Sequence, residues 1–507
     1  MGYTYSPWVG HSTGASCSHQ QMKDKRQQTI NALLDILPGD AVLYEDEDLS
    51  PYECDGLSAY RQLPMVVALP SNIKQVQEIL SYCHQHDVCV VARGAGTGLS
   101  GGALPHEEGV LLSLAKFKSI LDIDPDGRTA RVQPGVRNAA ISQAVDQYGL
   151  YYAPDPSSQI ACTIGGNVAE NSGGIHCLKY GLTVHNIQQL KIITIDGDLL
   201  TIGNSGLDSA GYDLLALMTG SEGMLGVIVE VTVKLLPKPD RAQVILAAFD
   251  DVVLAGAAVG NIISAGIIPA GLEMMDQLAI KAAEDFVHAG YPTDAKAILL
   301  CELDGTNAEV SELVLQVREI LQHNGATEVR TASNEQERLT FWQGRKAAFP
   351  AVGRISPDYY CMDGTIPRKE LPAVLQKMAA LSEEYKLRVA NVFHAGDGNL
   401  HPLILYDANI PGELERTEEF GGKILELCVA VGGTITGEHG VGIEKINQMC
   451  VQFESNELTQ FHNVKHAFDD KGLLNPGKAV PTLHRCAEFG AMHIHHGEMP
   501  FPELERF

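Results

Sequence analysis

The chain carries eleven cysteines, yet no two of them form Cys-x-x-Cys and there is no ferredoxin-like run. No iron–sulfur cluster is therefore expected on it. Basic residues are scarce, with 37 Lys and Arg against 63 Asp and Glu and a formal net charge of −26. That balance argues against a nucleic-acid binder, because no face could become a basic stripe. A small anionic substrate would need a local positive site to overcome the overall field. Long apolar runs are also missing. The nearest approach, residues 252–272, is interrupted by Asn261, Ser264 and Pro269 and flanked by Asp250, Asp251 and Glu273. It predicts a buried helix over 252–265 followed by a strand, so any membrane association would be peripheral. The first residues, 1–28, are polar with mixed charge and do not resemble a secretory leader. With an odd cysteine count, this predicts reduced thiols and a cytoplasmic location.

What is present is a chain of 507 residues, 45% hydrophobic and 20% charged. That is enough for two or three domains around sizeable cores. Its most informative stretch is Arg93-Gly94-Ala95-Gly96-Thr97-Gly98-Leu99-Ser100-Gly101-Gly102, directly after the apolar run 88–92. Bare backbone at the end of a strand can curl its N–H groups around an anion such as a pyrophosphate. Gly96-x-Gly98-x-x-Gly101 satisfies a dinucleotide fingerprint, but that fingerprint requires a following helix. Here a second apolar run, 110–115, comes next. The reading is strand–loop–strand, not a Rossmann unit. A second segment of small residues spans 154–174. Its prolines set an extended entry, and its glycines let something flat lie on the backbone. Around these, helices are expected at 27–37, 71–86 and 138–147. Asp196-Gly197 predicts a hairpin between strands 191–195 and 198–202 with a type I′ turn. After the β run 227–236, Pro237-Lys238-Pro239 reads as a linker. Residues 243–450 alternate strands (297–303, 388–393) and helices (308–324, 369–385, 413–431), which predicts an α+β domain with helices on one face of an antiparallel sheet. A helix at 456–468 then returns.

Two short stretches carry candidate chemistry. In His394-Ala-Gly-Asp-Gly-Asn-Leu-His401 a tight Gly-x-Gly turn can fold the second histidine back beside the first. In Gly437-Glu438-His439-Gly440 a carboxylate and an imidazole sit where backbone can approach a ligand closely. Two imidazoles and a carboxylate form an N/N/O set that suits Zn²⁺ or Mn²⁺ with one position open. The spacing alone matches no known zinc motif. A separate cluster, His493-Ile-His495-His496, reads as a solvated or partner-facing tail.

Taken together, Arg93 to Gly102, Pro154-Asp-Pro-Ser-Ser, Gly165-Gly-Asn, Gly220-Ser-Glu-Gly and Leu474-Asn-Pro-Gly-Lys resemble FAD-binding proteins of the vanillyl-alcohol-oxidase type. His394-Ala-Gly-Asp-Gly-Asn and Gly437-Glu-His-Gly resemble its 2-hydroxy-acid dehydrogenase branch, which includes D-lactate and D-2-hydroxyglutarate dehydrogenases. The segments 341–346, 354–367 and 483–493 are similar to the FAD-linked catalytic subunits of bacterial glycolate oxidases. The resemblance implies an α+β protein: a tail and helix at 1–60, a two-part FAD-binding domain of the PCMH type at 61–239, a substrate domain with an antiparallel sheet at 240–450, a returning helix at 451–479 and a tail at 480–507.

It implies FAD held by Arg93, Gly94, Gly96, Thr97, Gly98, Ser100 and Gly101, by Pro154, Asp155, Ser157, Thr163, Gly165, Gly166, Asn167, Asn171, Gly173, Gly174, Tyr180 and Gly181, and by Glu222, Gly226, Ile228 and Asn475. The first loop has no histidine, so the FAD is expected to be non-covalent, with His176 and His185 as the alternative tethers. The resemblance makes His394, His401 and Glu438 ligands of a divalent metal, Zn²⁺ or Mn²⁺, and His439 the general base. It makes Arg345 the partner of the substrate carboxylate, with Arg354 a second candidate. Cys361 stands where hydroxyglutarate dehydrogenases have a lysine, which is consistent with a smaller mono-acid. The implied reaction is oxidation of glycolate to glyoxylate, and of D-lactate to pyruvate, by hydride transfer from the α-carbon to flavin N5. Electrons would pass to a second FAD-binding subunit and an iron–sulfur subunit, then towards the quinone pool on the cytoplasmic face of the inner membrane. The competing readings are a stand-alone D-lactate or D-2-hydroxyglutarate dehydrogenase and a non-catalytic FAD-binding assembly subunit.

Overall fold

Helix Ile73–Gln85 shows how local sequence shapes the N-terminal part. Asn72 caps it by accepting a hydrogen bond from the Gln75 amide, and Val76, Ile79, Leu80 and Cys83 form its buried stripe. It connects strands Val66–Ala68 and Cys89–Arg93, both of which pair in parallel with Gly109–Ser113. The computed structural model describes residues 19–206 and 210–482. The expectations for the tails, the segment 483–493 and the histidines at 493–496 lie outside the described residues.

With Val42–Leu43 at its edge, the first sheet has four strands. Beside it a five-stranded antiparallel sheet runs in the order Ile120–Asp124, Thr129–Val132, Val227–Lys234, Ile187–Ile193, Leu199–Gly203. Its last hairpin forms as expected, but the turn is not type I′. Gly197 has φ of +93° while Asp196 stays out of the left-handed region, and a type I′ turn needs positive φ at both central residues. The Gly197 amide instead closes a turn onto the Thr194 carbonyl.

The C-terminal part is built on a seven-stranded sheet, antiparallel throughout. The expectation of helices on one face is corrected: both faces are covered. Along strand Arg241–Phe249, Ile245, Ala247 and Phe249 pack with helices Val252–Ser264, Asn307–His323 and Leu371–Tyr385. The alternate residues Val244, Leu246 and Ala248 pack with Gln277–Val287, Glu335–Lys346 and Ala348–Val352. A strand that is apolar at consecutive positions is buried on both sides.

After helix Ser455–Phe468 the chain returns to the first sheet. Leu474 bridges to Val90, and the Asn475 amide donates to the Val90 carbonyl. No helix among the described residues is long and apolar enough to cross a membrane. Eight described cysteines are free thiols.

Candidate active site

The glycine loop follows from strand direction. Because Cys89–Arg93 and Gly109–Ser113 run parallel, residues 94–108 must carry the chain back along the sheet, and they do so without a helix. Gly96 and Gly101 take φ of +69° and +74° there, a region closed to most side chains. Gly94 lies against Thr163, where a Cβ would collide with the hydroxyl, so the two glycine-rich segments touch.

Together they line one side of a cavity of about 470 Å³. Of the expected FAD residues, Arg93, Gly94, Gly96, Thr97, Gly98, Ser157, Thr163, Gly165, Gly166, Asn167, Gly173, Glu222, Gly226 and Ile228 lie in its wall. Thr163 Oγ1 and Asn167 Nδ2 are buried there without a hydrogen-bond partner. Orphaned polar atoms beside bare backbone fit a polar cofactor such as FAD.

The other expected residues stand outside that wall and shape it. Ser100 donates to the His439 carbonyl at 2.9 Å, and Gly101 packs under Ile443. The Pro154 carbonyl accepts from Asn138. Asn171 orients Val184, and Gly174 packs on Asp155. Tyr180 donates to Asp304, and Gly181 ends the short helix Cys177–Tyr180. Asn475 donates to the carbonyls of Gly102 and Glu222. His176 is committed to Asp155 on one ring nitrogen (2.8 Å) and Glu302 on the other (3.1 Å). His185 is exposed, with Nδ1 accepting from the Leu182 amide.

The same cavity is also lined by Arg345, His394, His401, Glu438 and His439. Strand Val389–Phe393 ends at His394. A turn closed by the Gly398 and Asn399 amides on the His394 carbonyl, with Gly398 at φ +84°, folds the chain back. His401 thereby lands beside His394, ring centroids 5.0 Å apart and nearly perpendicular. Glu438 Oε1 lies 2.8 Å from His401 Nε2 and 3.3 Å from His394 Nε2. The three candidate ligand atoms fall within 4.8 Å of one another.

Each ring is held from behind. His394 Nδ1 meets Glu273 at 2.8 Å, and His401 Nδ1 faces the Met362 carbonyl at 3.3 Å. Such partners fix the tautomer that leaves Nε2 free for a metal. Convergent N/N/O donors with oriented imidazoles fit a divalent ion.

Burial alone would raise the Glu438 carboxyl, but His394 and His401 hold it well below the usual range. Burial would lower His394, yet Glu273 and Glu438 raise it well above the ordinary histidine value. A bound cation would take the place of that proton. His439 behaves differently. Burial pulls it down to about 4 despite Asp363 nearby, so it is neutral at pH 7 and able to accept a proton.

Two acids that shape this loop lie far away in sequence. Asp363 accepts from the amides of Gly437 (3.1 Å), Glu438 (3.2 Å) and His439 (2.9 Å), and from Lys445 Nζ at 2.9 Å. Glu222 takes the Val441 and Gly442 amides, both at 2.7 Å. A third, Glu273, holds Arg345 Nε at 2.8 Å as well as His394. Reading the sequence missed Asp363, Lys445 and Glu273. Only Glu273 left a trace, an acid inside the apolar strand Gly271–Asp276.

Arg354, the second carboxylate candidate, is corrected. It is exposed, donates to the Asp285 carbonyl and covers the Phe286 ring, away from the cavity. Cys361 is buried, and its Sγ lies within 4.8 Å of ring nitrogens of His401 and His439.

Known proteins resemble this chain in sequence and in fold. The sequence matches the FAD binding domain family over residues 64–203 and the FAD linked oxidases, C-terminal domain family over 238–479. Glycolate oxidase subunit GlcD of Escherichia coli K12 is 69% identical, covering 95% of this chain and 97% of that protein. The GlcD subunit of Bacillus subtilis is 40% identical over 84% of this chain and 91% of its own length. A D-lactate dehydrogenase of Anaerostipes hadrus is 30% identical over 92% of this chain and all (100%) of its own.

Among solved structures, 4-ethylphenol oxidase from Gulosibacter chungangensis superposes with a TM-score of 0.77 at 16% identity, covering 91% of this chain and 98% of that one. p-Cresol methylhydroxylase gives 0.76 at 16% identity with the same coverage, 91% and 98%. At that identity the likeness bears on the fold, which is the vanillyl-alcohol-oxidase-type FAD-binding fold with an α+β second part. By its 69% identity to a GlcD subunit and its matches to both families, the chain belongs to the FAD-linked oxidase family that includes the GlcD subunits of glycolate oxidase.

Proposed function

We propose that the chain is an FAD-dependent 2-hydroxy-acid dehydrogenase that converts glycolate to glyoxylate and also accepts D-lactate. The observation that carries this is the single cavity running from the two glycine-rich segments to Arg345, His394, His401, Glu438 and His439. The GlcD and D-lactate dehydrogenase relatives support the substrate class.

FAD, bound non-covalently, would supply an acceptor for the α-carbon hydride, and a divalent ion held by His394, His401 and Glu438 would supply a Lewis acid that makes the substrate hydroxyl more acidic. Arg345 binds the substrate carboxylate. Glu273 clamps one edge of its guanidinium, and the side chain lines the cavity, so an oxyanion there meets a pre-oriented fork. His439 takes the hydroxyl proton. The Asp363 carboxylate and the Glu222 carboxylate hold the backbone of its loop, which keeps the ring in place without a moving part.

Two E. coli and B. subtilis relatives are named as subunits. That supports a multisubunit complex; in our reading electrons leave for a second FAD-binding subunit and an iron–sulfur subunit, in the cytoplasm or on the cytoplasmic face of the inner membrane. Steady-state kinetics with a dye acceptor test the substrate assignment. Glycolate and D-lactate should be turned over in preference to D-2-hydroxyglutarate. A tenfold or greater preference for the dicarboxylate would overturn it.

A further inference from the structure

We propose that Phe349, backed by Tyr359, sets the length of substrate that the cavity accepts, restricting it to 2-hydroxy acids whose α-carbon carries hydrogen or methyl. This rests on the reading above, in which Arg345 takes the carboxylate and the histidine cluster takes the hydroxyl. Phe349 stands one helical turn beyond Arg345, in helix Ala348–Val352, which directly continues Glu335–Lys346. Arg345, Phe349 and Tyr359 all line the cavity.

The Phe349 ring meets the His401 ring edge-on, 6.3 Å between centroids, and meets Tyr359 the same way at 6.4 Å. It therefore stands against a histidine of the hydroxyl-binding cluster, one helical turn along the chain from Arg345. With carboxylate and hydroxyl both fixed, the α-carbon substituent is the only part of a 2-hydroxy acid left to vary, and this ring lines the cavity that holds both anchors. Two edge-to-face contacts hold it there. Tyr359 is itself fixed in strand Asp358–Cys361, paired with Leu405 of the neighbouring strand. Added methylenes would meet this wall as overpacking.

The test uses unbranched D-2-hydroxy monocarboxylic acids from glycolate to D-2-hydroxyhexanoate, which change length at constant charge. In the wild type, kcat/KM should fall about tenfold or more for each methylene beyond D-lactate. In Phe349→Ala, kcat/KM for D-2-hydroxyvalerate relative to glycolate should rise at least ~10-fold. Tyr359→Ala should give a smaller rise, and Phe349→Leu should fall between wild type and Phe349→Ala. Calorimetric binding of the matching 2-oxo acids should show the same order without turnover. A wild type that is active on glycolate and equally active on the longer acids overturns this proposal alone, as does an unchanged length profile in both the Phe349 and Tyr359 variants. A wild type inactive on every 2-hydroxy acid overturns the functional reading, and this proposal with it.

Discussion

Glu273 joins the two halves of the candidate site, so Glu273→Gln is its most informative single change. The carboxylate is 1% exposed and contacts Arg345 at 2.7 and 2.8 Å and His394 at 2.8 Å. Arg345 is itself only 2% exposed. An amide keeps the shape and can still accept from His394, but it leaves the guanidinium without its counter-charge. Stranding one member of a buried ion pair costs about 3–5 kcal/mol. Weakening the partner behind a metal-ligating histidine costs about 10–100-fold in metal affinity. Calorimetric titration of Zn²⁺ or Mn²⁺ into chelator-treated protein, alongside thermal melting, reads both effects. Adding Arg345→Met should recover much of the melting temperature, because the stranded charge is then gone, while activity stays lost. Wild-type metal affinity and wild-type melting in Glu273→Gln would refute the reasoning.

Other outcomes follow from the same geometry. His439→Ala should retain FAD and lose at least ~10²-fold in rate, the usual scale for a general base. Because burial lowers the His439 ring to about 4, the kcat/KM profile of the metal-saturated wild type should show no acid limb between pH 5 and 7, and a limb near 6.5 that persists at saturating metal would contradict that assignment. Asp363→Asn should destabilise the protein by about 3–5 kcal/mol, since it strands Lys445, whose side chain is 0% exposed, and it should loosen the loop carrying Glu438 and His439; calorimetry and metal titration would detect both.

Glu302 supplies a pH window. Burial would raise its carboxyl, but His176, Arg338 and Trp342 lower it to about 2. Its contribution, about 3 kcal/mol from the fall below the usual 4.5, is complete above the unfolded value and is lost as pH falls from about 4.5 towards 2. His176, raised well above the ordinary value of 6.5 by Asp155 and Glu302 against burial, has the opposite sense: its contribution is full below 6.5 and lost as pH rises through its folded value. Glu302→Gln should flatten the acid side of the melting-temperature profile; an unchanged acid limb would remove this residue from the account.

The parts of the site that could be read from the chain are those whose chemistry demands particular residues close together. Ten residues rich in glycine after a strand, and histidines on either side of Gly-Asp-Gly, carry their meaning locally. Glu273 does not. It reaches His394 only because strands Gly271–Asp276 and Val389–Phe393 pair with Met274 opposite Phe393, and register between strands over a hundred residues apart is invisible in one sequence. Asp363 is likewise more than seventy residues from the loop it holds. Arg345 and Arg354 were separable only once the helix phase was known: Arg338, Trp342 and Arg345 share one face of Glu335–Lys346, while Arg354 lies beyond its end. The second helical layer was legible in principle, because Val244 to Phe249 is continuously apolar and a one-sided sheet would alternate. The Asp-Gly turn misled because the strands stop further from it than a two-residue hairpin requires.

The most direct test of the central claim is anaerobic mixing of the FAD-loaded protein with glycolate while following flavin absorbance near 450 nm, before and after chelator. Bleaching should occur with glycolate, be lost on chelation and be restored by Zn²⁺ or Mn²⁺. Bleaching indifferent to chelator would remove the metal from the site. No bleaching with either glycolate or D-lactate would contradict the proposed reaction.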